Sequence, residues 1–207
     1  KYLSIGGNPT KISYGASSLI NVSTSSAALS NQEANAIAQK IFKEKFPLEN
    51  NIDFSNPAFS QKVSYNYKLN GLPLLGNAPL VFPFSVSLGP KGEIVYLDYI
   101  QYPNSFEEGE KRNLLNEKQI KTALSLQKGI IVYSLSDQDI DAEIPPVYQI
   151  NSVQIEKVFL AYYYPIVPLT EQEILIQPIF VFEGTGNNQT SGKSGNLIIY
   201  LPATPEL

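Results

Sequence analysis

The sequence predicts an α+β protein made of two tandem αβββ units, each an antiparallel sheet with a helix packed on one face. Three observations predict it. Two segments carry apolar residues at helical spacing behind a complete N-terminal cap. The apolar period drops to two after each of them, and the second half of the chain repeats the element order of the first. At 207 residues, 43% of them hydrophobic, the chain can supply the cores this requires.

Residues 1–29 read as a Ser-rich N-terminal arm or tether. "GASSLINVSTSSAALS" carries no charge from Gly15 to Ser30, and such polar tracts lead flexibly into folded bodies. The chain has no Met and begins at Lys1. A processed, recombinant or fragmentary product is therefore expected, and a removed signal or membrane anchor upstream is the hypothesis that suits the arm. The sequence itself holds no run of the ~20 apolar residues that a transmembrane helix needs.

The first unit is expected over residues 30–112. In "LSNQEANAIAQKIFKEKFP", Ala34, Ile37, Ala38, Ile41 and Phe42 form one apolar stripe, Ser30 and Glu33 form a capping box, and Pro47 stops the helix. "QKVSYNYKLNG" then alternates Val63, Tyr65, Tyr67 and Leu69 with polar residues, which predicts a strand with one buried face, and Asn70-Gly71 is a turn signal. Phe84, Val86 and Leu88 alternate with Ser85 and Ser87 in a second strand, with Pro83 at its edge or beginning. "GPKG" turns the chain into a third strand, "EIVYLDYIQY", which leads to the acidic loop "PNSFEEGEKR".

The second unit is expected over residues 113–207. Its helix lies in "LLNEKQIKTALSLQKG", with Asn116 and Gln119 as a capping box, Leu115 and Ile120 as a hydrophobic staple, and Gly129 as the C-terminal cap. After a variable middle section, "NSVQIEKVFLAYYYP", "EILIQPIFVFEG" and "GNLIIYLP" predict three strands. Val81-Phe82-Pro83-Phe84 parallels Ile176-Gln177-Pro178-Ile179, and the stretch from Gly92 parallels that from Gly195, as in a duplicated unit.

Composition removes several kinds of chemistry. With no Cys there are no disulfides or thiolates, and with no His there is no Ser-His nucleophile and no histidine-bound zinc. A net charge of −4 with scattered Lys and Arg disfavours nucleic-acid binding. "GTGNNQTSGKSGNLIIYLP" carries the second half of a phosphate-binding loop, Gly192-Lys193-Ser194, but Asn187 stands where its first glycine belongs. A β-branched run follows where a helix is required, so a polar connection between two strands is expected.

Asp137, Asp139, Asp141 and Glu143 alternate in "SDQDIDAEIP" and form a calcium candidate. Ala142 and Tyr148 occupy the positions where an EF-hand needs Gly and Glu, so a solvated acidic loop is expected instead. Glu107, Glu108 and Glu110 with Asp98 are the candidate carboxylates for glycoside hydrolysis, and Lys193 beside Ser194 for Ser-Lys catalysis. Their polar surroundings argue for hydrated, ordinary charges. Asn21 and Asn188 begin glycosylation sequons, which matter only in a secreted eukaryotic chain. No catalytic residue and no cofactor is expected. Tyr65, Tyr67, Tyr162, Tyr163 and Tyr164 are the candidate partner-binding residues, since phenol rings bury large area at low entropy cost and are common in interfaces. Alternation places Tyr162 and Tyr164 on one face and Tyr163 on the other.

"KVSYNYKLNGLPLLGN…FSVSLGPKGEIVYLDYIQYP" resembles the PepSY-like unit, in which an aromatic strand enters an Asn-Gly turn and a hairpin carries Gly-x-Ile on its return. With "VQIEKVFLAYYYP" and "LIQPIFVFEG" downstream, residues 30–202 are similar to the YycI/YycH type of extracytoplasmic regulatory proteins. The resemblance implies a membrane-tethered, non-enzymatic domain outside the cytoplasm that binds a protein or peptide partner. A structural subunit of a cell-envelope assembly is the second expectation, and a carboxylate- or Ser/Lys-based hydrolase the third.

Overall fold

A computed structural model describes residues 2–6, 11–15, 29–46, 52–55, 57–59, 62–76, 82–101, 109–135, 150–165, 175–188 and 194–205. In chain order the elements are β1 (Tyr2–Gly6), β2 (Lys11–Gly15), α1 (Asn31–Lys45), β3 (Ala58–Phe59), β4 (Val63–Tyr65), β5 (Tyr67–Leu69), β6 (Leu72–Leu75), β7 (Phe84–Leu88) and β8 (Ile94–Ile100). They continue with α2 (Glu117–Ser125), β9 (Ile130–Leu135), β10 (Ile150–Tyr163), β11 (Gln177–Asn188) and β12 (Ser194–Pro202). The protein is α+β, with two sheets. It divides into two units, the first of Lys1–Leu74, Leu80–Glu107 and Ile166–Glu173, the second of Glu108–Pro165 and Ile174–Leu207. The stretch from Leu75 to Pro79 also belongs to the second unit.

The first unit contains a six-stranded sheet in the order β1-β2-β8-β7-β4-β3, antiparallel throughout. Helix α1 starts as its sequence dictates: the Glu33 N–H donates to Ser30 Oγ at 3.3 Å, and the Ser30 N–H donates to Glu33 Oε2 at 3.0 Å. Lys43 and Lys45 in its last turn complement the helix dipole. Its buried Phe42 contacts the rings of Phe54, Phe84 and Tyr99 at centroid distances of 5.3, 4.9 and 6.0 Å, and Tyr65 stacks on Phe84 at 5.8 Å. This aromatic layer between helix and sheet is the core of the unit.

The other face of the sheet carries a polar row. Ser13, Asp98, Ser85 and Ser64 stand directly opposite one another across β2, β8, β7 and β4. Asp98 accepts hydrogen bonds from Ser13 Oγ at 2.6 Å and Tyr96 Oη at 2.8 Å, while Ser64 and Ser85 are buried.

Two expectations for this unit are corrected. Tyr2–Gly6 and Lys11–Gly15, within the segment read as an arm, are strands that pair with each other, and Lys11–Gly15 also pairs with β8. Ile12 and Tyr14 alternate with Ser13, so they carry the period of a strand just ahead of the polar tract. The strand expected from Val63 to Leu69 is broken at Asn66, whose carbonyl accepts from the Asp53 N–H at 2.9 Å. β4 joins the large sheet through β7, whereas β5 pairs with β6 across Asn70 and Gly71. Both turn residues have positive φ, +49° and +82°, as a two-residue Asn-Gly hairpin requires.

In the second unit the strands lie in the order β10-β11-β12-β9. Ile120, Ala123 and Leu124 of α2 pack on Phe182, Leu197, Ile199 and Leu201, and Leu75, Ala161, Ile179, Val181 and Tyr200 form a second cluster. The expected capping box of Asn116 and Gln119 is present. The C-terminal cap differs from expectation. Gln127 takes the left-handed conformation at φ +56°, with Gln127 N–H bonded to Leu124 O and Lys128 N–H to Ala123 O, both at 3.0 Å. Gly129 answers to packing instead, since a Cβ there would lie 2.6 Å from Ile199 Cγ2. β9 was not among the expected strands. β11 pairs with β12, with Asn187 opposite Ser194, and Ser194 opens a strand rather than a helix; the connection between them lies outside the described residues.

Candidate functional site

The tyrosines do not form an exposed platform. Tyr65, Tyr67 and Tyr164 are buried, which corrects their expected role as contact residues: a ring already covered by its own fold has no area left for a partner. The Tyr65 hydroxyl donates to Asn35 Oδ1 at 2.6 Å, and burial pushes its phenol up to about 12. Burial also raises the Tyr164 phenol above its ordinary value. Tyr162 and Tyr163 are half-buried, and the Tyr163 ring lies edge-on to Tyr200 at 6.1 Å.

The calcium candidates Asp137, Asp139, Asp141 and Glu143 lie outside the described residues, as do Glu107, Glu108 and Lys193. Asp98 is bound by the hydroxyls named above, and Glu110 is exposed beside Arg112 at 3.5 Å. Among the described residues no three acidic side chains gather as a metal site would require, and no helix is long and apolar enough to cross a membrane.

The structure instead presents a groove in the second unit, about 530 Å³, between α2 and the segment that follows β12. Local chemistry builds it. Pro202 lacks an N–H and ends the β12 ladder. Ala203, fully buried, then donates to Pro178 O at 2.9 Å and accepts from the Leu115 N–H at 2.8 Å. Those two bonds fix the segment beneath the start of α2, and Thr204 and Pro205 continue along the groove. Because Ile120, Ala123 and Leu124 point into the core, the next turn of the helical surface (Lys118, Thr122 and Leu126) faces the groove. Leu201 and Pro202 contribute apolar surface. Lys118 and Lys128 supply its charge, and no Asp or Glu lines it.

Beyond the groove the apolar surface continues. Leu126 is 64% exposed, Ile130 65% and Ile131 46%, so the cap of α2 and the first residues of β9 present unburied hydrocarbon within a few residues of each other. β9 lies at the end of its sheet and, among the described residues, pairs with β12. The signal for this strand is the β-branched run Ile130-Ile131-Val132 immediately after a helix cap. The chain matches no family model, no curated protein and no solved structure.

Proposed function

We propose that the chain is a non-catalytic binding domain acting outside the cytoplasm, whose second unit accepts an extended segment of a protein partner as an added strand along β9. The observation that carries this reading is the exposed apolar start of β9 at the end of its sheet. Edge strands are ordinarily protected by Lys, Pro or inward-pointing charge, and Ile130–Leu135 contains no such residue. An added strand satisfies the outward N–H and C=O groups and covers Ile130 and Ile131 together. The likeness of residues 30–202 to tandem PepSY-like units of the YycI/YycH type supports the regulatory, membrane-tethered setting. In that reading α1 with β4, β7 and β8 is one αβββ unit, α2 with β10, β11 and β12 is the other, and the remaining strands are additions.

A displayed library of twelve-residue peptides, followed by amide exchange on the selected complexes, tests the proposal. Slowed exchange at β9 amides, lost in Ile131→Lys, is the expected result. Peptides that bind without slowing any β9 amide refute it. So does light scattering that returns a stable dimer whose β9 amides are protected, because the edge is then taken by a second copy.

A further inference from the structure

We infer that the groove between α2 and residues 201–205 binds a single amphiphile molecule, an alkyl chain ending in one carboxylate, with its head at Lys118. The inference does not depend on strand addition at β9. The volume, about 530 Å³, falls within the ~300–1,000 Å³ of ordinary ligand pockets.

Hydrogen bonding decides the class of occupant. A peptide brings an N–H and a C=O with nearly every residue, and each one buried without a partner costs free energy. The walls of this groove have few main-chain groups to give. Leu115 N–H donates to Ala203 O, Ala203 N–H to Pro178 O, Leu126 N–H to Thr122 O and Lys128 N–H to Ala123 O. Pro202 and Pro205 have no N–H. A hydrocarbon tail asks for none of these groups, and Leu115, Ala123, Leu126, Leu201, Pro202 and Pro205 line the groove with hydrocarbon.

The polar side chains decide the orientation. Gln119 Oε1 already accepts from the Asn116 N–H at 2.9 Å, which leaves the Gln119 amide Nε2 as a donor next in sequence to Lys118. One turn further along, the Thr122 hydroxyl donates to Lys118 O at 2.9 Å, so its proton is spent and its methyl remains for a ligand. Leu126 follows, largely exposed. The start of α2 is thus the donor end of the groove and the close of α2 its apolar end. Lys121 is held by Glu117 at 2.6 Å, whereas Lys118 enters no ion pair among the described residues. Lys128 has a partner of its own and is not needed for the head, and no Asp or Glu lines the groove to repel it. An anionic head therefore meets an uncommitted cation where the donors are.

The test is isothermal titration calorimetry with octanoate, decanoate, dodecanoate and tetradecanoate, each below its micelle concentration. Binding should be one-to-one, and each added methylene should tighten it about threefold to fourfold until the tail outgrows the groove. Dodecyltrimethylammonium should bind about threefold more weakly than dodecanoate to the wild type, and more tightly than dodecanoate to Lys118→Glu. Thr122→Trp, which fills an exposed groove position, should remove dodecanoate binding while circular dichroism shows an unchanged fold. Affinity that ignores tail length, indifference to Lys118→Glu, binding that survives Thr122→Trp, or no saturation by monomeric dodecanoate each overturns the inference. So does tighter binding of a leucine-rich peptide with a free terminal carboxylate, which makes the groove a peptide site. Co-flotation with phosphatidylcholine vesicles overturns it as well, since the surface then takes a bilayer rather than one molecule. Ile131→Lys, on β9, should leave dodecanoate binding unchanged. Loss in that variant moves the tail to β9, which removes the groove inference and leaves strand addition to its own test.

Discussion

Replacing Tyr65 with Phe removes one hydroxyl from the centre of the first unit and should give a stability difference that narrows as pH rises. The hydroxyl donates to Asn35 Oδ1 at 2.6 Å, and Asn35 Oδ1 also accepts from Gln39 Nε2 at 3.2 Å. The acceptor therefore keeps a partner in Tyr65→Phe, and the cost near neutral pH is that of one net hydrogen bond, ~1 kcal/mol, rather than that of an orphaned buried oxygen. The phenol's folded value is pushed from 10.0 to about 12 by burial. A raised value means that the folded state holds the proton more tightly. The associated stability is fully present below pH 10 and is lost as pH rises from 10 towards 12. At pH 11 the wild type should have lost on the order of 1 kcal/mol through this group, comparable with the hydrogen bond's contribution. Urea denaturation followed by far-ultraviolet circular dichroism, at intervals from pH 8 to 11, measures both. Tyr65→Phe should be the less stable protein at pH 8, and the gap should largely close by pH 11. A gap that stays constant across this range refutes the coupling of the phenol to burial. A loss above ~3 kcal/mol at pH 8 refutes the claim that Asn35 remains satisfied.

Other perturbations follow from the same packing. Gly184→Ala would set a Cβ against the Gln154 carbonyl, a backbone atom that cannot rotate away, and should cost ~1–3 kcal/mol in thermal or urea melts. Phe42→Ala empties the centre of the aromatic layer and should cost ~3–5 kcal/mol, read as early melting of the first unit with the α2 amides still protected. Ser30→Ala removes the cap that accepts from the Glu33 N–H and should cost ~1 kcal/mol. Hydrogen bonds to Ser30 also hold the Glu33 carboxyl below its ordinary 4.5. That contribution is present above pH 4.5 and lost as pH falls through the lowered folded value, so wild type and Ser30→Ala should converge in acid melts.

Both helices and their N-terminal caps were legible in the sequence because a capping box is local: Ser30 with Glu33 and Asn116 with Gln119 satisfy each other within one turn. The Asn70-Gly71 hairpin was legible for the same reason. The break at Asn66 was not, since Tyr65 and Tyr67 keep the period of an unbroken strand and both end up buried. Alternation shows which side chains share a face but not whether a second layer covers it, so Tyr164 looked available and is not. The groove depends on the bond between Leu115 and Ala203, distant in sequence, and no local pattern announces such a pair. β9 is not legible locally because its period-free apolar run sits directly against the cap of α2.

The serine–aspartate row across β2, β8, β7 and β4 constrains how the first sheet can assemble. Sliding any of these strands by one position would carry its polar member through to the helix side, and for β8 that means thrusting a carboxylate among Phe42, Phe84 and Phe46. Mispaired arrangements are thereby penalised while the sheet is still forming, so the hydroxyls and the lone acid serve as a proofreading device that hydrophobic neighbours alone would not supply.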